Sequence, residues 1–389
     1  MKNIFIIIGL MLLVACEKEH IDDVNVERAV LVYMAADNNL SGISGSDLSE
    51  IIKGSKNLTD GQKLLLLIDR PTTNPYILEV IKGDTIRMKT FNEDRRSSDA
   101  SLLGEVMQWM VARYPCDSYG LVLWGHADGW VYYDPLQASA KRRGYGVDMQ
   151  NNTKTWMNIP DMADALSATP KLDFIFADCC AFQSVESMYE LRNVANYIIG
   201  SPAEIPEEGA PYNTIIPALF SNSSTFYQQV VDTYFNQTTY DGMKVLLSVV
   251  RTDKMEALAE ATQQALQSFV PLLPDPTRPN IDGLIYYYSH TLFDMNDFML
   301  RFADNDTYSD WKRAFDEAVI YKTYTDSWRA NYVNFSDFTM TELKYGGLNM
   351  FVPQTNKYGN NYDKHISRQN EGIVQMQWYQ AAGLDQLGW

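Results

Sequence analysis

Continuous apolar runs recur along the chain and alternate with segments of helical periodicity. The runs are rich in β-branched and aromatic residues, which is typical of strands buried on both faces. They lie at 29–36, 63–68, 119–124, 172–177, 196–200 and 244–250. Apolar residues at helical spacing predict helices at 98–115, 184–194 and 252–270. This alternation predicts an α/β fold with a mostly parallel sheet of about six or more strands, covered by helices.

Two other segments depart from the alternation. Residues 132–156 are polar and turn-rich, and such a long loop inside a compact domain is expected to be functional or mobile. After about residue 270, prolines interrupt the pattern, and the remainder mixes helices with a short apolar strand at 347–353. We therefore divide the chain into a core over 28–255 and a C-terminal region over 256–389 that is packed on the core or continues it.

The first residues predict export. Lys2 precedes an apolar stretch from Ile4 to Val14 that is too short to span a bilayer and is typical of a signal peptide. It ends in Leu-Val-Ala-Cys, which resembles the bacterial lipobox, in which the cysteine becomes the lipidated first residue. The prediction is a lipoprotein signal peptide over 1–15 and a polar tether over 16–27. Ordinary cleavage and a membrane anchor, with Cys16 incidental, are the alternatives.

Lipidation of Cys16 would place the protein in a bacterial cell envelope. The lipid would attach it to the inner or the outer membrane, and surface exposure stays open. The composition, with 46% hydrophobic and 21% charged residues, argues against disorder and against a coiled coil. The net charge of -17 argues against broad nucleic-acid binding, which depends on neutralising phosphates, and is compatible with cationic substrates.

Cysteine and histidine carry the candidate chemistry. His126 directly follows one predicted buried strand, and Cys179 and Cys180 follow another. In parallel sheets, sites gather at the carboxyl ends of the strands, and a Cys-His pair there supports nucleophilic attack on a carbonyl. A buried structural cysteine and a structural histidine are the alternative. Because only Cys116, Cys179 and Cys180 remain after Cys16, at least one free thiol is expected.

Metal and cofactor motifs are not found in the sequence. There is no CxxC pair, HExxH motif, P-loop or glycine-rich dinucleotide turn. The sequence therefore predicts neither a metal site nor a cofactor.

Several segments resemble the clostripain family of cysteine peptidases, relatives of caspases and gingipains. They occur in the order and at the separations that the family shows. They lie at 30–40, 100–130, 173–191, 245–262 and 346–353. The resemblance implies a caspase-like α/β/α sandwich with a C-terminal extension. It also implies a cysteine endopeptidase acting on proteins or peptides. A catalytically inactive, peptidase-like surface lipoprotein that binds a partner is the rival interpretation.

The resemblance also implies roles for individual residues. The family nucleophile has a glutamate six residues after it, and Glu186 stands at that offset from Cys180, which leaves Cys179 as the alternative nucleophile. His126 takes the general acid/base position. The backbone amides of Ala127 and Cys180 are the candidate oxyanion hole. Ala127 replaces the usual family glycine, which would matter if that position required a positive φ.

In the family, an aspartate at the position of Asp178 is associated with a preference for Arg or Lys before the scissile bond. Glu204 and Glu207, in the loop at 201–212, are expected to add negative charge for basic substrates. The alternatives are a turn-capping aspartate and solvated surface acids.

Several relatives cut themselves between the histidine and cysteine segments, where Lys141, Arg142 and Arg143 stand as candidate processing residues. The alternative there is a solvated basic run. Some relatives need calcium, but no oxygen-ligand loop of the EF-hand type is readable here.

Overall fold

The computed structural model describes residues 25–131, 144–149, 154–287, 291–330, 336–355 and 360–389. The predicted signal peptide, Cys16 and Lys141, Arg142 and Arg143 lie outside the described residues. The described strands are β1 (Arg28–Ala35), β2 (Gln62–Arg70), β3 (Thr73–Ile81), β4 (Asp84–Thr90), β5 (Tyr119–Trp124), β6 (Tyr145–Asp148), β7 (Thr155–Met157), β8 (Leu172–Asp178), β9 (Ala195–Gly200), β10 (Leu246–Arg251), β11 (Phe293–Asp294), β12 (Val319–Tyr324), β13 (Ser327–Ala330), β14 (Ser336–Thr339) and β15 (Asn349–Met350).

Helices separate most of these strands. They are α1 (Ser44–Gly54), α2 (Ala100–Arg113), α3 (Ile159–Leu166), α4 (Val185–Glu190), α5 (Tyr212–Leu219), α6 (Phe226–Tyr240), α7 (Met255–Phe269), α8 (Met295–Phe302), α9 (Asn305–Ala318), α10 (Asn360–Gly372) and α11 (Gln377–Ala381). Short 3₁₀ turns connect some of them, and one at Asn39–Gly42 follows β1. In the part of the chain that the structure describes, no helix is long and apolar enough to cross a membrane.

A nine-stranded sheet forms the centre of the molecule, in the order β12-β10-β9-β8-β5-β1-β2-β3-β4. The middle of the sheet, from β2 to β9, is parallel. The strands β3 and β10 run antiparallel to both of their neighbours. The prediction of a mostly parallel sheet of six or more strands is confirmed, and all six predicted apolar runs are strands of this sheet. The additional strands extend the sheet at both ends, with β12 at one edge and β3 followed by the edge strand β4 at the other.

Two hydrophobic cores lie on opposite faces of the sheet, because successive side chains of a strand point to opposite faces. On β1, Leu31 and Tyr33 belong to one core, and Val30 and Val32 belong to the other. The first core includes side chains of α2, α3, α4 and α7, and the second includes side chains of α1, α5 and α6. The result is the α/β/α sandwich that the sequence predicts.

The segments after residue 255 contact this sandwich directly. The edge strand β12 pairs with β10 in the central sheet. Next to β15, the backbone N–H of Phe351 donates to the Glu186 carboxylate at the start of α4, at 2.7 Å. The segment around β15 therefore fixes the helix that follows Cys180.

Candidate active site

Two adjacent parallel strands, β5 and β8, end at the same level. Their last residues, Trp124 and Asp178, are register partners. His126 lies two residues after Trp124, and Cys180 lies two residues after Asp178. Both residues therefore follow the same edge of the sheet at the same distance along the chain. This edge is the carboxyl end of the parallel strands, where sites of α/β sheets gather.

The histidine leaves β5 through a tight glycine turn. Gly125 has a φ of +144°, and a Cβ there would lie 3.0 Å from the carbonyl oxygen of Ala35. The following turn is tied to β6, because Gly146 N–H donates to the His126 carbonyl at 2.8 Å. Asp128 N–H likewise donates to the Gly144 carbonyl at 3.0 Å. The backbone on both sides of His126 is therefore held in place.

The imidazole of His126 is half-buried among three neighbours. Its Nε2 lies 3.0 Å from Oδ1 of Asn39, in the 3₁₀ turn after β1. The ring of Trp156, on β7, packs beside it with a centroid distance of 6.5 Å. Burial lowers the pKa of His126, and the positive charge of Lys154 lowers it further. Both causes favour the neutral imidazole.

The thiol of Cys180 is half-buried, and three acidic side chains act on it electrostatically. Ile205 N–H donates to its Sγ at 3.5 Å. Burial raises the pKa of the Cys180 thiol to about 12, and the negative charges of Glu204, Asp128 and Asp178 act in the same direction. The two shifts together favour the uncharged forms, a thiol at Cys180 and a neutral imidazole at His126.

Cys179 lies in a different environment from its neighbour. It is 1% exposed and belongs to the core beneath α2, α4 and α7. Burial raises the pKa of its thiol well above the usual value. Among the described cysteines, Cys116, Cys179 and Cys180 are all free thiols, in agreement with the expectation of at least one free thiol.

A left-handed residue follows Cys180. Ala181 has a φ of +53°, a region that costs an ordinary residue about 1–2 kcal/mol. Its N–H donates to the carbonyl of Ala203 at 2.8 Å, which ties this bend to the loop after β9. The bend turns the chain sharply at the end of β8.

Asp178 is a buried anchor of the loop at 201–212. Its Oδ2 accepts hydrogen bonds from Ala210 N–H at 3.1 Å and from the Tyr212 hydroxyl at 2.8 Å. Its Oδ1 accepts a bond from the Tyr234 hydroxyl at 3.0 Å. The side chain is 3% exposed, and burial raises its pKa. The Asp178 side chain therefore accepts three hydrogen bonds from the protein itself, and two of them come from the loop at 201–212 and the start of α5.

The remaining predicted residues are distributed around this edge. Glu204 is half-buried and acts electrostatically on Cys180, whereas Glu207 is exposed. Ala127 has no positive φ, so the absence of a glycine there produces no backbone strain. Its bridge to Tyr145 uses the carbonyl of His126 and the N–H of Asp128, and leaves the N–H of Ala127 itself unused by that bridge.

Residues 32–386 match the model of the clostripain family. The chain belongs to the clostripain family. It is a cysteine endopeptidase, and its sandwich is the caspase-like fold of that family.

Solved structures agree with this assignment. One is a secreted C11 cysteine protease from Bacteroides thetaiotaomicron in complex with an irreversible peptide inhibitor, with a TM-score of 0.77 and 30% identity, covering 92% of this chain and 99% of that chain. A second is an inactive zymogen C11 protease from Parabacteroides distasonis, with a TM-score of 0.75 and 28% identity, covering 92% and 98% of the two chains. No curated protein sequence is significantly similar to this chain.

Three residues of this clostripain-family site were not predicted from the sequence. Asn39 could have been found, because it follows the first buried strand and so reaches the same edge of the sheet as His126. Asp128 stands in the histidine turn, but its action on Cys180 depends on how two separate turns meet. Trp156 lies in a polar loop segment that has no sequence signal for contact with His126. Among the residues that the structure describes, no group of three or more His, Cys, Asp or Glu is arranged to hold a metal ion.

Proposed function

We propose that this chain is an exported, lipid-anchored cysteine endopeptidase that cleaves peptide bonds after Arg or Lys. The observation that carries the proposal is the equal offset of His126 and Cys180 from the register partners Trp124 and Asp178. The nucleophile is Cys180 rather than Cys179, because Cys180 is half-buried whereas Cys179 is enclosed in the core.

Catalysis proceeds in two stages, acylation of the enzyme and hydrolysis of the acyl-enzyme. His126 accepts the proton of the Cys180 thiol as Sγ bonds to the peptide carbonyl carbon. The resulting imidazolium protonates the leaving amine as the carbon–nitrogen bond breaks and the acyl-enzyme forms. A water molecule then gives one proton to His126 and its oxygen to the acyl carbon. The carbon–sulfur bond breaks, and that proton returns to the thiol.

The oxyanion of each tetrahedral intermediate is stabilised by backbone donors. The N–H groups of Ala127 and Cys180 are the proposed donors, since each follows the end of a central strand at this edge. Fixed donors of this kind need no reorganisation during the reaction, and losing one costs about 10²–10³-fold in kcat. The hydrogen bonds between the histidine turn and β6 support such rigidity.

The preference for Arg or Lys rests on the negative charges near Cys180. The negative charges of Glu204, Asp128 and Asp178 all act to raise the pKa of the thiol, which supports an electronegative environment around the nucleophile. A guanidinium or ammonium group bound there would offset this charge. Asp178 contributes its charge from beneath the site and holds the 201–212 loop, while Glu204 and Glu207 of that loop are proposed to face the substrate.

Peptides that differ only in the residue before the scissile bond test this function. We expect hydrolysis of the Arg and Lys peptides under reducing conditions, and little hydrolysis of Ala, Leu and Asp peptides. Cys180→Ala should reduce hydrolysis to background, and His126→Ala should lower it about 10²–10⁴-fold. Cys179→Ala is the matched control and should stay active. Equal rates on all peptides would contradict the basic preference, and an active Cys180→Ala variant would contradict the nucleophile.

Lipid attachment at Cys16 is supported by the sequence of the N-terminus. We expect metabolic labelling with a radioactive fatty acid to mark the protein, and expect it to fractionate with membranes. Cys16→Ser should abolish the label and release the enzyme from membranes with its peptidase activity intact. A labelled Cys16→Ser protein would contradict the assignment.

Self-processing at Lys141, Arg142 and Arg143 is proposed as the activation step. These residues stand between the His126 and Cys180 segments, and a 28%-identical relative is described as an inactive zymogen. Sequencing of new N-termini should find cleavage after one of these residues in the wild type. Cys180→Ala should stay intact, and so should the triple alanine variant of the basic run. An intact wild type that is fully active would contradict the proposal.

A further inference from the structure

A side chain outside the catalytic pair contacts the imidazole of His126 directly. Oδ1 of Asn39 lies 3.0 Å from Nε2 of His126, although the two residues are 87 positions apart in the chain. Asn39 is the first residue of the 3₁₀ turn that follows β1, the strand next to β5. Three consecutive elements of the sheet edge, after β1, β5 and β8, thus deliver Asn39, His126 and Cys180.

The contact determines which ring nitrogen carries the proton. An amide oxygen only accepts hydrogen bonds, so Nε2 must be protonated to donate to Oδ1. Burial and the charge of Lys154 lower the pKa of His126 and favour the neutral ring, in which a protonated Nε2 leaves Nδ1 without a proton. Nδ1 is then the nitrogen that takes the thiol proton and later gives it to the leaving amine.

The backbone under Asn39 is fixed by the residue before it. The buried Asn38 donates from Nδ2 to the carbonyls of Ala35 and Val147, at 2.9 and 2.8 Å. Its Oδ1 accepts the N–H of Leu40 at 2.9 Å and caps the turn. The exposed side chain of Asn39 therefore starts from a backbone that is tied both to β1 and to β6.

We propose that Asn39 is a positioning residue of this peptidase, which holds His126 in the Nε2–H tautomer and orients Nδ1 toward the reacting atoms. The inference rests on the proposed role of His126 as general acid and base. Asn39 acts through the imidazole and touches no reacting atom. Its role is that of a third group that orients a catalytic base.

Two substitutions separate positioning from a structural role. Asn39→Ala should lower kcat on the order of 10- to 100-fold, the scale of a misplaced catalytic group, with KM changed less than about twofold. Asn39→Asp keeps an acceptor for Nε2–H and should restore most of kcat at pH 8. Its negative charge favours the imidazolium, so the acidic limb of kcat/KM should move upward by about one pH unit. Lys154 is the charged neighbour that acts against this shift.

Matched controls make the outcomes distinguishable. Ser41→Ala, in the same 3₁₀ turn, should leave kcat and the pH profile unchanged, and the melting temperature of every variant should stay near that of the wild type. If Asn39→Ala keeps full kcat, or if Asn39→Asp leaves the acidic limb in place, the positioning role is wrong. If His126→Ala itself keeps full activity, the proposed catalytic role of His126 fails instead.

Discussion

Trp124 and Asp178 face each other as register partners at the ends of β5 and β8. This pairing sets the two proposed catalytic residues at equal offsets beyond the sheet. Both partners also make buried hydrogen bonds, because Trp124 Nε1 donates to Asp47 at 2.7 Å and Asp178 accepts from Tyr212 and Tyr234. Substitutions of the residues that make these hydrogen bonds are therefore expected to change the environment of the Cys180 thiol.

The charge of Glu204 should have opposite effects on the free thiol and on catalysis. Its negative charge raises the pKa of Cys180, so Glu204→Gln should lower that pKa and speed alkylation of Cys180 by iodoacetamide at pH 7. The same variant should lower kcat/KM for Arg peptides, because a charge that attracts the guanidinium is lost. Mass spectrometry of alkylation and peptide kinetics measure the two effects. The exposed Glu207→Gln is the control and should leave the alkylation rate unchanged; slower alkylation of Glu204→Gln would refute the assignment.

Gly209 should tolerate no side chain, for two separable reasons. Its φ is +64°, and a Cβ would lie 2.9 Å from Oδ2 of Asp178. Gly242 also has a positive φ, +78°, but nothing lies within 4 Å of its Cβ position. Gly242→Ala should lose about 1 kcal/mol of unfolding free energy from the backbone alone. Gly209→Ala should lose a further 1–3 kcal/mol, roughly the range for an overpacked site, together with activity on Arg peptides.

Urea unfolding of both alanine variants checks the comparison. Equal losses would show that the contact with Asp178 relaxes without strain. An unchanged kcat/KM in Gly209→Ala would show that the loop at 201–212 does not shape the substrate site.

Removing one donor from the Asp178 carboxylate should destabilise the protein. The hydroxyl of Tyr234 donates to Oδ1 at 3.0 Å in a fully buried site. Tyr234→Phe leaves that oxygen short of a partner, which costs about 1–3 kcal/mol. Tyr240→Phe, on the same helix α6 but 86% exposed, should change the unfolding free energy by less than about 0.5 kcal/mol. Similar unfolding free energies for the two variants would contradict the importance of this network.

Stability should fall as the pH rises through the titration range of Glu186. This side chain is 0% exposed, and burial raises its pKa from the usual 4.5 to about 8. Between these values the folded chain retains a proton that the unfolded chain has released, so the free energy of unfolding decreases with pH. Glu186→Gln cannot ionise and should remove this contribution, on the order of 1–3 kcal/mol.

Melting temperatures at pH 5.5 and 8 measure the effect. The loss between the two should be smaller in Glu186→Gln than in the wild type. Part of the loss should remain, because burial also raises the pKa of Asp47 to about 7 and that of Asp69 to about 8. A loss of equal size in both proteins would mean that Glu186 is ionised in the folded state.

The local sequence pattern was sufficient to predict the central strands of the sheet. The central strands are apolar on both faces, so their runs are visible in the sequence, and the ends of those runs put His126 and Cys180 at the edge of a parallel sheet. The edge strand β4 is largely exposed and lacks such a run, which is why it was not predicted. The order of the motifs identified the family, because the spacing of the histidine, cysteine and glutamate segments depends on the topology of the fold.

Tertiary structure alone decided how the site is held and charged. The tyrosines that bury Asp178 come from α5 and α6, 34 and 56 residues away, and no local pattern specifies that they meet one carboxylate. Nor does any local signal show that Asn39 contacts His126 across 87 residues. The sequence alone determined which residues reach the catalytic edge, because strand periodicity is a property of neighbours in the chain. Which partners surround them, and hence their pKa values, depends on neighbours in space.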